Sequence, residues 1–92
     1  MHYNNRGLAN YHLNNVPEAK NDFDMAIELD SNDPTIIFNR GNVFLNWTPE
    51  KNFAKAHKDY DRAIELARGN SKLWHAKGLA YEGEAEYIFK ET

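Results

Sequence analysis

The sequence predicts an all-α fold of antiparallel helix pairs, with five to six helices in total. The first observation is a repeat: Gly7, Gly41 and Gly78 each follow a basic residue and are spaced by 34 and then 37 residues. The second is a block at 21–29, NDFDMAIEL, that returns at 58–66 as KDYDRAIEL. The third is that both blocks carry apolar residues three and four positions apart, which is typical of one buried helix face. Repetition at this period indicates stacked helical units.

Clusters of Asn, Asp, Pro and Gly divide the chain into helices, because these residues favour turns. Pro17 and Pro49 suit a first helical position, where the missing N–H removes no intrahelical bond. Thr48 and Ser71 suit the N-cap, where a hydroxyl accepts a bond from a free backbone N–H. The sequence therefore predicts helices over 2–14, 17–30, 34–46, 49–67 and 71–82.

Two structures fit the last ten residues. Either Gly83 turns the chain into a short sixth helix over 84–91, or it lies inside one long final helix at a cost of about 1 kcal/mol. The prediction of five to six helices covers both.

Small and aromatic residues at fixed places in each unit resemble the signature of the tetratricopeptide repeat family, whose period is about 34 residues. The residues that carry this resemblance are Tyr3, Gly7, Ala19, Phe23 and Ala26 in repeat one, Ile37, Gly41, Phe44, Ala56, Tyr60 and Ala63 in repeat two, and Trp74, Gly78 and Tyr81 in repeat three. The chain departs from the family at Arg6, Arg40 and Lys77, where leucine is usual.

The resemblance implies a right-handed superhelical solenoid that forms one domain over 1–92. We expect a fragment of a longer protein, since the last repeat is partial and has no clear polar capping helix. Its parts would be repeat one at 1–33, repeat two at 34–70 with a three-residue insertion near 47–51, and partial repeat three at 71–92.

The resemblance also implies a peptide-binding groove on the concave surface, lined by the first helix of each repeat. The expected groove residues are Asn4, Asn5, Leu8, His12, Thr35, Phe38, Asn39, Asn42, Asn46, Lys72 and His75. A carboxamide both donates and accepts, so Asn5, Asn39 and Asn42 could bind a ligand backbone. The alternative is that these asparagines only solvate an exposed helix face. The charged clamp by which some family members hold an acidic C-terminus is matched only at Asn39 and Lys72, which disfavours it.

Composition and motifs disfavour other functions. The net charge of −3 argues against nucleic acid, and the absence of cysteine fits a cytoplasmic protein. No apolar run reaches the roughly 20 residues that span a bilayer. The acid pairs Asp22/Asp24 and Asp59/Asp61 lie on different helix faces and are expected to be solvated. The four histidines lack metal-ligand spacing. We expect no enzyme, no metal and no cofactor.

We therefore predict a non-catalytic protein–protein interaction module that binds a peptide or protein segment in the groove. The alternative is a structural spacer segment of a longer repeat array. Such a segment would self-associate through its terminal faces, where Ile88 and Phe89 would form part of a homodimer contact.

Overall fold

The computed structural model describes residues 2–47 and 52–91, and the side chains within 3–47 and 52–86. These residues form five α-helices and no strand, so the predicted all-α class is confirmed. The helices are α1 (His2–His12), α2 (Val16–Leu29), α3 (Pro34–Leu45), α4 (Phe53–Leu66) and α5 (Ser71–Glu91).

Local chemistry explains the helix ends that differ from the prediction. The first helix stops at His12, before Asn14, whose φ of 66° lies in the left-handed region that asparagine tolerates. The third begins at Pro34, as predicted, after Asp33, whose carboxylate accepts a bond from the Thr35 N–H at 2.9 Å. The fourth begins at Phe53, later than expected, because Asn52 has a non-helical ψ of 68°. The predicted Thr48 cap, the Pro49 start and the core of the predicted insertion lie outside the described residues.

The observed α5 decides between the two structures predicted for the last ten residues. It runs through Gly83 without a break, so the separate sixth helix is wrong. Contacts on both sides of the glycine hold this helix against α4: the ring of Tyr81 stacks on that of His57 at 4.0 Å, and Glu84 Oε1 lies 3.1 Å from His57 Nε2.

Each helix contacts its neighbours along the chain, and α1 also contacts α3. Close approach within the pairs α1–α2 and α3–α4 depends on a glycine facing an aromatic ring. A Cβ atom on Gly7 would lie 2.8 Å from the Phe23 ring, and one on Gly41 would lie 2.7 Å from the Tyr60 ring. Phe23 and Tyr60 are 0% and 1% exposed, so neither ring has room to move away. Gly7 and Gly41 therefore mark the contacts within the two helix pairs.

Acidic and basic side chains connect the same helices. Arg6 donates from Nε and Nη2 to Asp22 Oδ1 at 3.0 and 2.7 Å, and Arg40 donates from Nε and Nη2 to the two oxygens of Asp59 at 2.8 Å. Asp22 and Asp59 are only 6% and 5% exposed, so the expectation that they are solvated is wrong. Each of these bonds joins the first helix of a pair to the second.

The other acid of each Asp-x-Asp sequence binds the next unit. Arg40 donates from Nη1 to Asp24 at 3.0 Å, and Lys77 Nζ lies 2.6 Å from Asp61. The basic residues that precede Gly7, Gly41 and Gly78 therefore have a structural role. We call the resulting chain of ion pairs the charge ladder; it comprises Arg6, Asp22, Asp24, Arg40, Asp59, Asp61 and Lys77. Within the described residues, no helix is both long and apolar enough to cross a membrane.

Two of the equivalent glycines, Gly41 and Gly78, should respond differently to substitution by alanine. Gly41→Ala is expected to lower the free energy of unfolding by about 1–2 kcal/mol, because overpacking against Tyr60 outweighs the gain in helix propensity. Gly78 has no atom within 4 Å of an added Cβ, so Gly78→Ala should raise stability by up to about 1 kcal/mol. Urea unfolding measures both values, and equal losses would contradict this account of the pair contact.

Substitution of Asp59 and of Asp61, which lie two residues apart, should also change the free energy of unfolding by different amounts. Asp59→Asn removes the charge from a nearly buried carboxylate that holds two bonds from Arg40, and we expect a loss of about 2 kcal/mol. Asp61→Asn should cost less than about 1 kcal/mol, because the Asp61 side chain is 55% exposed. Urea unfolding of the two variants at one ionic strength compares them directly. A larger loss for Asp61→Asn would be inconsistent with the ladder.

Candidate functional site

A cavity of about 280 Å³ lies where α1 and α3 run side by side, and we call it the α1–α3 groove. Its lining is mainly apolar and aromatic, with amide and cationic groups among the rings. The lining residues are Leu8, Tyr11, His12, Phe23, Phe38, Asn39, Asn42 and Lys72. All but Tyr11 and Phe23 are residues that the sequence predicted for a binding groove.

The other predicted groove residues fall into two groups. Asn4 and Asn46 lie beside the groove and bind residues that line it: Asn39 Nδ2 donates to Asn4 Oδ1 at 3.3 Å, and Asn46 Nδ2 donates to the Tyr11 hydroxyl at 2.8 Å. Asn5 and Thr35 are exposed and do not line it, and His75 belongs to a separate cavity with Leu79 and Glu82. The structure therefore does not bring Asn5, Thr35 and His75 to the groove.

The two asparagines of α3 have different roles within it. Asn42 Oδ1 accepts the hydroxyl of Tyr60 at 2.5 Å, so the carbonyl oxygen of Asn42 is already engaged. Burial raises the pKa of Tyr60, which keeps this hydroxyl protonated as the donor. Asn39 uses its amide nitrogen to bind Asn4, and its carbonyl oxygen remains to accept. The groove thus offers an acceptor at Asn39 and donors at Asn42.

These two groups are placed to bind a peptide backbone. Residues three apart on a helix share a face, so Asn39 and Asn42 present their amides side by side. A peptide unit has one N–H and one C=O and can bind both. The sequence predicted that each of these asparagines could both donate and accept, and in the structure Tyr60 occupies one acceptor position of Asn42.

Aromatic rings and one cation complete the lining. Phe38 is half-buried, with its ring 5.7 Å from that of Tyr60, and Lys72 Nζ lies 5.7 Å from the centroid of Phe38. Burial raises the pKa of Tyr11, so its phenol stays neutral. No acidic side chain is among the groove's lining residues, so its local charge is positive.

The two groove residues that sequence reasoning missed had partial signals. Phe23 lies in a second helix, α2, whereas the predicted groove is lined by the first helices. Tyr11 follows Asn10 in α1. Asn10 instead donates from Nδ2 to Asp22 Oδ2 at 2.8 Å, and Tyr11 supplies an aromatic ring to the groove.

The described residues carry little that suggests catalysis. Among them no three His, Asp or Glu side chains come together as a metal site. Asp22 and Asp59, the buried members of the acid pairs, are bound to arginines in the charge ladder. Groups engaged in this way are poorly placed to transfer a proton to a substrate.

Comparison of the sequence with protein-family models gives no match, and comparison with curated proteins gives none.

The bond between Asn42 and Tyr60 links groove and core, and a double-mutant cycle should reveal it. Asn42→Ala should cost about 1–3 kcal/mol, because it leaves the hydroxyl of a nearly buried tyrosine without its acceptor. Adding Tyr60→Phe removes that hydroxyl, so the double variant should be more stable than additivity predicts, by about 1 kcal/mol. Urea unfolding of the four proteins gives the coupling. Strict additivity would show that the bond contributes nothing.

Proposed function

We propose that this chain is a non-catalytic module that binds an extended peptide segment in the α1–α3 groove. The observation that carries the proposal is the composition of the groove: apolar rings form its walls, while Asn39 and Asn42 offer an acceptor and donors on one helix face. Ligand sites combine apolar walls with a few placed polar groups in this way.

The lining chemistry defines the ligand. Leu8 and Phe38 favour an apolar side chain, and the asparagine pair favours a backbone amide beside it. Lys72 favours a carboxylate at one end, from an aspartate, a glutamate or a chain terminus. A volume of about 280 Å³ is small for a cofactor and suits one or two side chains of a peptide.

The proposal includes the fold family and the location of the protein. Two helix pairs share a glycine–aromatic contact and an arginine–aspartate bond at equivalent positions, and this repetition supports a tetratricopeptide-like solenoid of right-handed superhelical form. The absence of cysteine from the sequence supports a cytoplasmic location.

The alternative function is a spacer in a longer repeat array that forms homodimers through its terminal faces. Ile88 and Phe89, which the sequence suggested for that contact, lie outside the described side chains. A spacer needs no ligand in its groove, so a test of groove binding separates the two functions.

A display library of random peptides tests the proposal without knowledge of the partner. The bait is the wild-type chain, and the groove variant is Asn39→Ala/Lys72→Ala. The matched control, Asn21→Ala/Lys58→Ala, removes the same two kinds of side chain from exposed positions of α2 and α4. Circular dichroism and urea unfolding establish that all three proteins are folded.

We expect the enriched peptides to combine an apolar residue with an acidic group. They should bind the wild type and the control equally and the groove variant about tenfold more weakly, since charge-assisted and amide bonds are both lost. Chemical-shift changes on titration should centre on Leu8 and Phe38. Peptides that bind all three proteins equally would contradict binding in the groove, and so would the absence of any enriched peptide. Either result would favour the spacer function.

A further inference from the structure

A cavity of about 280 Å³ lies among α2, α3 and α4, and we call it the basic cavity. Its lining residues are Lys20, Asp24, Arg40, Phe44, Lys55, Lys58 and Asp59. Four of these side chains are cations and two are acids, so the lining carries a net charge of +2 in a chain whose net charge is −3. A concave site with an excess of one charge attracts ions of the opposite charge from solution.

Both acids of the basic cavity already bind cations of its lining. Asp24 lies 2.6 Å from Lys20 Nζ and 3.0 Å from Arg40 Nη1. Asp59 accepts two bonds of 2.8 Å from Arg40. The guanidinium group uses three of its five N–H donors in these bonds, so two remain. The two acids therefore balance Lys20 and Arg40, and the excess positive charge lies on the two lysines of α4.

These two lysines, Lys55 and Lys58, are exposed and lie three residues apart on one face of α4. Within the described part of the chain, neither forms an ion pair. Lys55 Nζ lies 5.6 Å from the centroid of the Phe44 ring, and Arg40 Cζ lies 5.9 Å from the same centroid. One ring thus lies beside cations of two helices. Each ammonium group has three N–H donors that an anion could use.

The next unit of the repeat shows an acid at the equivalent place. The residues 37 positions after Lys20 and Trp47 are His57 and Glu84. Glu84 Oε1 lies 3.1 Å from His57 Nε2, so a carboxylate of the chain itself lies between α4 and α5. At the basic cavity the uncharged Trp47 stands where the later unit has this acid. The repeat therefore provides an anion at the later position and none at the earlier one.

The segment that joins α3 to α4 does not balance the charge of the cavity. Its residues 48–51, with the sequence TPEK, lie outside the described residues and contain one acid and one base, so their net charge is zero. A ligand with two negative charges would match the excess of the lining. A phosphate monoester carries about −1.5 to −2 charges at pH 7 and has three acceptor oxygens, whereas a carboxylate carries one charge.

We propose that the basic cavity binds a dianionic phosphate group. Lys55 and Lys58 would donate charge-assisted hydrogen bonds to its oxygens, and Arg40 would add positive charge from α3. The basic cavity and the α1–α3 groove share no lining residue, so this site is independent of the proposed peptide binding. The phosphate group could belong to a phosphorylated side chain or to free phosphate, and the experiment distinguishes these sources.

Three small probes test the chemistry of the site. The isotope-labelled chain is titrated with inorganic phosphate, with N-acetyl-phosphoserine amide, and with N-acetyl-aspartate amide, which has a single negative charge. The pH is about 7.5, so that the phosphate groups are mainly dianions. Chloride keeps the ionic strength constant, because added salt alone weakens interactions between exposed charges. Amide chemical shifts report the site and the affinity of each probe.

A matched pair of variants makes the test specific. Lys55→Gln/Lys58→Gln removes two positive charges from the basic cavity and leaves the charge ladder intact. Arg62→Gln/Arg68→Gln removes two positive charges from exposed positions that do not line the cavity. The two variants therefore have the same net charge. Circular dichroism and urea unfolding establish that both are folded.

We expect saturable shifts at Lys20, Phe44 and Lys58 with both phosphate probes. Lys55→Gln/Lys58→Gln should weaken binding at least about tenfold, and the control should change it by less than about twofold, because only the first variant loses the charge-assisted bonds. The aspartate probe should bind at least about tenfold more weakly than phosphoserine. Tighter binding of phosphoserine than of inorganic phosphate would identify a phosphorylated side chain as the ligand, and the reverse order would identify free phosphate.

Four results would overturn the proposal. The first is the absence of saturable shifts, and the second is equal weakening by the two variants, which would indicate only general attraction between charges. The third is a set of shifts centred on Leu8 and Phe38, which would place the phosphate in the α1–α3 groove. The fourth is phosphate binding that Glu50→Gln strengthens at least about tenfold, because that gain would identify Glu50 of the chain itself as the occupant of the cavity.

Discussion

The structure depends on one constraint: in each of the pairs α1–α2 and α3–α4, an aromatic ring of the second helix packs directly against a glycine of the first. Gly7 and Gly41 let the rings of Phe23 and Tyr60 lie against the backbone, at distances that a methyl group would not allow. Because those rings are fully buried, they set the separation of each pair. Once Tyr60 is held in this way, its hydroxyl reaches Asn42 and orients an amide of the α1–α3 groove. Core packing and groove chemistry are therefore linked through one side chain.

The charge ladder adds directionality to this packing. Apolar contacts attract helices without selecting an angle or a neighbour, whereas a guanidinium group binding a carboxylate through two N–H groups tolerates little displacement. Arg40 binds acids on the helices before and after its own, so the two pairs are connected through a polar centre as well as through the core. Hydrogen bonds to Asp59 and Asp24 raise the pKa of Arg40, which keeps this centre charged.

The sequence alone predicted the features that depend on the repeat period and on residue size. The recurrence of glycine and of the Asp-aromatic block predicted the helix pairs, and the resemblance to the tetratricopeptide repeat family predicted six of the eight residues that line the α1–α3 groove. Features that depend on contacts distant in sequence were missed. Helix spacing alone predicts that Asp22 and Asp59 are solvated, whereas their arginine partners lie 16 and 19 residues away on another helix. The engagement of Asn42 by Tyr60 joins two helices, and no pattern within either helix reveals it.

The hydrogen bonds of Arg40 to Asp24 and Asp59 also limit the sliding of the helices past one another. A shift of α3 by one residue would place Arg40 or Asn42 at the site of Gly41, against the ring of Tyr60. Such a shift moves a side chain by about 1.5 Å along the axis and turns it by about 100°. The guanidinium would then leave both carboxylates, and the nearly buried Asp59 would lose its two hydrogen bonds from Arg40. The charge ladder and the contact of Gly41 with Tyr60 therefore select the same register of the helices.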